Sequence, residues 1–189
     1  MDDFLKNIRN ISQLSEESLP AFLEQWKPLS LPKGHLLVRE GAISRYFYYL
    51  HRGGVRIFYH KNDKEITEYL TLDNSYFLSI MSFFQQSPSR LIIQLLEPSE
   101  LLAIHHDDLM RLCDRFHDVE RLFRLMLTQS LIISQVRVDS LQFESAEQRY
   151  KKLLDQQPDM LQRVPLAYIA SYLGITQETL SRIRAGSRL

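Results

Sequence analysis

Pro165-Leu166-Ala167-Tyr168-Ile169-Ala170-Ser171-Tyr172-Leu173-Gly174-Ile175-Thr176-Gln177-Glu178-Thr179-Leu180-Ser181-Arg182-Ile183-Arg184 carries the pattern of two short helices joined by a tight turn. Pro165 suits the first turn of a helix, where its missing N–H leaves nothing unpaired. Ile169, Ala170 and Leu173 line one side of that helix, and Ala170 is small where a second helix must cross closely. Gly174 falls where the turn needs a positive φ. Ile175 plugs the corner, the Thr176 hydroxyl caps the second helix, and Leu180 and Ile183 hold that helix inward. Gln177, Glu178, Ser181 and Arg182 are left on one outward face. These side chains suit base edges: Arg for guanine, Gln for adenine, Glu accepting from cytosine. Arg184, Arg188 and Arg163 read as phosphate partners. Residues 161–189 hold four Arg against one Glu. Thr176, Gln177, Glu178, Ser181, Arg182 and Arg184 are therefore the candidate DNA-binding set of a helix-turn-helix.

The segment preceding this unit is helical as well. Residues 146–156 form a helix closed by Pro158, and residues 142–145 form a hinge. Further back, the stretch from about His117 to Leu141 has few helix breakers. Along it Val119, Leu122, Met126, Ile133 and Val136 fall near a seven-residue repeat, interrupted by Gln129. Such a stripe serves either as a dimer seam or as packing against the chain's own barrel, and the dimer seam is the reading adopted. Phe123, Leu127 and Leu131 make a second apolar face on the same helix. A short helix capped by Asp107-Asp108 runs through Leu112.

Between Leu29 and His106 the period changes from helical to extended. Leu36–Val38, Tyr46–Leu50, Val55–Tyr59, Ile66, Tyr69-Leu70, Leu91–Ile93 and Leu101–Ile104 are short β-branched and aromatic runs. Gly34, Gly41, Gly53-Gly54 and Asn62-Asp63 punctuate them. Many short strands at close spacing imply a compact antiparallel roll. Residues 1–27 read as helical, with a helix start at Ser15–Ser18 followed by Leu19, Phe22, Leu23 and Trp26. The expected fold is thus α+β, divided as 1–116 (β-roll sensor), 117–141 (long dimerisation helix) and 142–189 (helix-turn-helix).

Composition excludes several classes. The chain has 189 residues, 44% of them apolar, and 23 basic side chains balance 23 acidic ones. No global field points to nucleic acid or membrane, so any DNA-binding charge is local. One cysteine, Cys113, builds neither an intrachain disulfide nor an all-cysteine cluster, which implies a reducing compartment. The start, Met1-Asp2-Asp3-Phe4, lacks the basic opening and apolar core of a signal peptide, and no apolar run spans a bilayer. The expectation is a cytoplasmic protein that meets no membrane.

His105-His106 beside Asp107-Asp108 makes a poor chelate, because neighbours at a strand end diverge. Cys113 reads as a small apolar filler rather than a reactive thiol. Tyr46, Phe47, Tyr48, Tyr49, Tyr76, Phe77, Phe83 and Phe84 read as core rather than as a ligand pocket. No nucleophile–base set or phosphate-binding glycine loop stands out, so no enzyme, metal or cofactor is expected.

On Val38-Arg39-Glu40-Gly41, Tyr46–Gly53, Gly54-Val55-Arg56 and, most specifically, Gly174–Ile183, the chain resembles the cyclic-AMP receptor protein / fumarate-nitrate regulator (Crp/Fnr) family over nearly its whole length. The resemblance implies a homodimer with a cyclic-nucleotide-binding-type, jelly-roll-like β-roll, a long dimer helix and a winged helix-turn-helix that reads a palindrome. It places Gln177, Glu178 and Arg182 at base-reading positions, with Gln177 standing where Arg is common. Two such helices would enter major grooves roughly 34 Å apart. RNA polymerase is the implied further partner.

The sensor half departs from that family pattern. Cyclic-nucleotide binders carry Gly-Glu and then Arg-Ser in a phosphate cassette. The matching stretch here, Phe77–Ile92, has Ser79-Ile80 and Ser89-Arg90-Leu91 instead. Loss of the Glu removes a charge-assisted hydrogen bond to ribose worth roughly 1.5–3 kcal/mol. Ile132 and Ile133 fall where the family places hydroxyls for the base. The expectation is no useful cyclic-AMP affinity, with the effector unknown. Ser79, Ile80, Ser89, Arg90 and Leu91 remain the candidate ligand pocket, although for Arg90 itself pairing with an acidic neighbour is the reading adopted over an anion site. A short 158–164 segment and few residues after Arg184 imply a reduced wing. Two alternatives stay open: a ligand- or protein-binding β-roll whose helical tail mediates interaction, and a constitutive DNA binder whose roll is only a dimerisation scaffold.

Overall fold

The computed structural model describes residues 2–186. Two helices, α1 (Asp2–Ile11) and α2 (Ser18–Gln25), precede eight strands: β1 (Lys27–Leu31), β2 (Leu36–Val38), β3 (Tyr46–Arg52), β4 (Gly54–Lys61), β5 (Lys64–Leu72), β6 (Ser75–Phe77), β7 (Ile92–Leu95) and β8 (Ser99–His105). Helix α3 (Ile80–Gln85) interrupts them between β6 and β7. Then come α4 (His106–Arg115), α5 (His117–Phe143), α6 (Ala146–Gln156), α7 (Met160–Arg163), α8 (Leu166–Tyr172) and α9 (Gln177–Gly186). The strands form two four-stranded antiparallel sheets, ordered β1-β8-β3-β6 and β2-β7-β4-β5.

Strand β3 shows why the first sheet is buried on both faces. Its alternate residues Tyr48 and Leu50 point between the sheets, where they meet Val55, Ile57, Ile93 and Leu95. Phe47 and Tyr49 point the other way, into a second core built with Phe4, Phe22, Trp26, Leu109, Val119, Leu122 and Phe123 from the helices. A strand buried on both faces reads as a continuous apolar run rather than an alternation. Of the eight aromatic residues read as core, Phe47, Tyr48, Tyr49, Phe77 and Phe83 are buried, Tyr76 is half-buried, and Tyr46 and Phe84 are exposed.

Three short elements lie outside the sequence expectation. β1 contains Pro28, which is tolerated because β1 is a sheet edge and needs one fewer ladder donor. β6 has only three residues and α3 only six, too few to display a period. The cap of α4 also differs from expectation: His105, whose ring accepts from the Asp107 amide, is the N-cap. Asp107 and Asp108 sit in the first turn, where carboxylates favour the positive end of the helix dipole.

Helix α5 corrects the seam. Val119, Leu122 and Met126 pack into the chain's own helical core, so the first half of the stripe is occupied within one protomer. Leu127 still packs against that core, but after Met126 the helix carries no fully buried residue. Ile133 and Val136 stay exposed, as do Leu131, Ile132, Val138, Leu141 and Phe143. One face of one helix therefore does two jobs: it seats the helix on its own roll, then presents apolar surface outward. The helix ends two residues beyond Leu141, and Ser145 starts α6 with a reciprocal capping box to Gln148. Among the described residues no strand follows His105; the 158–164 segment holds α7 instead.

Candidate functional site

The C-terminal helices share one small core. Ile169, Ala170 and Leu173 of the α8 segment and Leu180 of α9 are buried with Tyr150, Leu153, Met160 and Val164. The turn between α8 and α9 closes as a Schellman motif: the Ile175 amide donates to Ala170 O (3.0 Å) and the Gly174 amide to Ser171 O (3.1 Å). Gly174 has φ +69°, a conformation glycine adopts without Cβ strain. Thr176 then caps α9, its hydroxyl accepting from the Thr179 amide at 3.2 Å.

This geometry sorts the expected residues. Thr176, Gln177, Glu178, Ser181 and Arg182 are exposed, and Arg184 is half-buried. Gln177, Glu178, Ser181 and Arg182 share one face because Leu180 locks the opposite one into the core. The Glu178 carboxyl is held below its ordinary range, first by its own backbone amide, then by the Thr176 hydroxyl and Arg182. It is therefore an acceptor at neutral pH. Arg188 lies outside the described residues.

Arg163 is not available to a phosphate, which corrects the sequence expectation. Its guanidinium donates to both oxygens of Asp73 (2.6 and 2.9 Å), to Glu97 (Nε to Oε1, 3.1 Å) and to the Gly53 carbonyl (3.1 Å). A cation with its donors committed to two carboxylates adds little to a DNA-facing field. Two other arginines that sequence reasoning passed over are also structural. Arg137 donates to Tyr172 O (2.9 Å) and Arg149 to Leu173 O (3.0 Å), satisfying carbonyls at the end of α8. No local pattern marks such partners, since each is more than twenty residues away.

The candidate ligand pocket in the roll does not converge. Ser79 and Ser89 are buried and bonded to each other (2.9 Å), and Ser89 also donates to Leu91 O and accepts from its amide. Ser82 ties the same region together, donating to Ser87 O and accepting from the Ser44 amide. Leu91 packs between the sheets. Ile80 lies on the surface, and the Arg90 side chain is 70% exposed, 3.7 Å from Glu68. The five residues thus face three directions, and the serines spend their hydrogen-bonding capacity on the protein itself.

The remaining titratable clusters are structural. His106 bonds Asp107 (2.9 Å), and among the described residues no group of three or more His, Cys, Asp and Glu is placed to hold a metal ion. Cys113 is half-buried against the helical core, where burial, aided by Glu120 and Asp114, pushes its thiol up to about 11. No helix among the described residues is long and apolar enough to cross a membrane.

Comparison with known proteins agrees with this architecture. Residues 28–116 match the cyclic nucleotide-binding domain family. The chain is similar to the cyclic AMP receptor protein of Thermus thermophilus, 27% identical over 177 residues, covering 90% of this chain and 81% of that one. Among solved structures it resembles the Thermus thermophilus catabolite activator protein (24% identity, TM-score 0.57, covering 92% of this chain and 83% of that one). It also resembles FixK2 from Bradyrhizobium japonicum (18% identity, TM-score 0.74, covering 85% and 83%). At such identities the structural likenesses establish the fold alone.

Proposed function

Because this chain belongs to the Crp/Fnr family, we propose that it is a sequence-specific DNA-binding transcription regulator, acting as a cytoplasmic homodimer on a palindromic operator rather than as an enzyme. The observation that carries this reading is the outward face of α9. Gln177, Glu178, Ser181 and Arg182 stand exposed on a helix whose opposite side is locked down by Leu180. In this reading α8 and α9 are a helix-turn-helix and α9 enters the major groove. Arg182, Gln177 and Glu178 read bases, while Thr176, Ser181 and Arg184 hold backbone or flanking groups. The exposed half of α5, with Ile133 and Val136 in it, supplies the seam between protomers. Residues 1–116, 117–141 and 142–189 act as sensor, dimer helix and reading unit. Transcription changes through contact with RNA polymerase or its occlusion.

Cyclic AMP is not the controlling ligand in this proposal. Its support is the buried Ser79–Ser89 pair, which fills the cassette with internal hydrogen bonds, and Ile80, which offers no acceptor for a ribose. That same closure favours the constitutive variant, in which the roll serves as scaffold. The test is selection of random duplexes by the purified protein at physiological salt, beside Arg182→Ala. A palindrome is expected, and the variant should lose about 1–3 kcal/mol per base contact removed. No enrichment, with the protein folded and dimeric, would instead support a roll whose helical tail mediates protein interaction.

A further inference from the structure

Arg163, the last residue of α7, meets the turns at one end of the roll. Three separate turns reach the one guanidinium: Gly53 between β3 and β4, Asp73 between β5 and β6, and Glu97 between β7 and β8. Asp73 is itself fixed, since its Oδ1 accepts the Gly53 amide at 2.6 Å. Gly53 has φ +130°, and a Cβ there would lie 2.1 Å from Ser99 Oγ and 3.0 Å from Ser99 Cα. Only glycine lets that turn fold under and aim its carbonyl at Arg163. The roll thus presents a built receptor for one cation of the C-terminal unit.

Two further contacts fasten the same unit. Ser171 of α8 meets the edge strand β5: the Thr67 amide donates to Ser171 Oγ at 2.8 Å, and that hydroxyl donates to Glu65 O at 3.2 Å. An edge strand otherwise leaves such groups to water. Arg56 of β4, only 1% exposed, lies between the rings of Phe58 (4.2 Å) and Tyr168 of α8 (3.7 Å), with Thr67 and Glu65 accepting its N–H groups. Leu70 and Leu96 of the roll complete the apolar cluster of the C-terminal helices.

We propose that Arg163 is a positioning residue: through Asp73, Glu97 and the Gly53 carbonyl it latches the C-terminal helical unit to its own roll and so sets the direction in which α9 presents its reading face. The inference deepens the DNA-binding reading and rests on it for its second arm. Without the cation, Asp73 and Glu97 repel each other, and the unit is held to the roll through fewer points: the Ser171 hydrogen bonds, the Arg56–Tyr168 contact and the packing of Leu70 and Leu96. The reading helix itself stays intact, because its core and its Schellman turn do not use Arg163. A single half-site is therefore read as before, whereas two half-sites at fixed spacing are engaged from a less organised pair.

The test compares wild type, Arg163→Lys and Arg163→Ala in the full chain, in two arms. In the first, without DNA, hydrogen exchange is followed at the Thr67 amide and across α8. The Ala variant should exchange there about tenfold faster or more, with α1 and the β3 strand unchanged. In the second arm, on duplexes from the selection above, half-site affinity should stay within about twofold. Affinity for the palindrome should fall about tenfold or more and the preference for one spacing should flatten, with Lys intermediate. The salt dependence of binding should keep its slope, whereas loss of a true phosphate contact lowers it by about 0.9. Unchanged exchange at Thr67 overturns the latch whether or not the protein binds DNA. Faster exchange with an unchanged spacing preference, tighter palindrome binding, or a reduced salt slope overturns the positioning role. A wild-type protein that selects no duplex defeats the DNA-binding reading instead, and the exchange arm still decides the latch.

Discussion

Replacing Gly174 by alanine tests the local physics of the α8–α9 turn directly. The residue holds φ +69°, and a non-glycine residue in that region costs about 1–2 kcal/mol. The new Cβ would stand 3.2 Å from Leu141 Cδ2. That neighbour is the end of an exposed, flexible side chain, so it swings aside and adds little. Alanine also narrows the unfolded ensemble, returning about 0.4–1 kcal/mol. The net destabilisation is therefore about 1 kcal/mol, a shift of roughly fivefold in the local opening equilibrium. Gly174→Asn should lose less, since asparagine tolerates the left-handed region. The assay is native-state hydrogen exchange at the Ile175 amide, which is bonded to Ala170 O, beside urea unfolding of the full chain. An alanine variant as stable as wild type, or an asparagine variant that loses as much as alanine, would refute the claim that backbone conformation is what glycine provides here.

Four other substitutions or conditions have defined outcomes. Gly53→Ala drives a Cβ into Ser99 backbone as well as side chain, so it should destabilise by about 3 kcal/mol or more in thermal unfolding, well beyond Gly174→Ala. Asp73 is held below its ordinary value of 3.8, chiefly by the hydrogen bond from Arg163 and secondarily by the Gly53 amide and Arg52. A depressed carboxylate stabilises fully above its unfolded pKa, so the stability gap between wild type and Asp73→Asn should be flat from pH 8 to about pH 4 and close below it; a gap that widens on acidification contradicts the assignment. Ser145→Ala removes the capping box of α6 and should lower stability by about 1 kcal/mol, read by circular dichroism during urea titration, with no loss sinking the capping role. The Cys113 thiol, pushed up to about 11, should alkylate far more slowly at pH 8 in the folded protein than in the denatured chain, and equal rates would contradict its burial.

What the amino-acid sequence determined by itself was whatever is governed over a few residues. Gly174, Thr176 and Leu180 specify a turn, a cap and an inward anchor at fixed offsets, and the structure places each in that role. The α6 span was equally legible, since Ser145 starts it and Pro158 follows its end. The main strands announced themselves through aromatic and β-branched runs; Lys27–Leu31 and Ser75–Phe77 did not, being short and held by partners far along the chain. Only the tertiary structure decided which length of the α5 stripe meets the chain's own core and which is left outward. Val119 and Val136 share one periodicity, and nothing local tells where the roll ends. The same holds for charge. Arg163 and Arg182 are alike in sequence, yet one is gripped by Asp73 and Glu97, 90 and 66 residues away, while the other stands exposed on α9. Periodicity and capping are set by the order of residues a few positions apart, whereas an ion pair or a packed face exists only once folding has brought its distant half alongside.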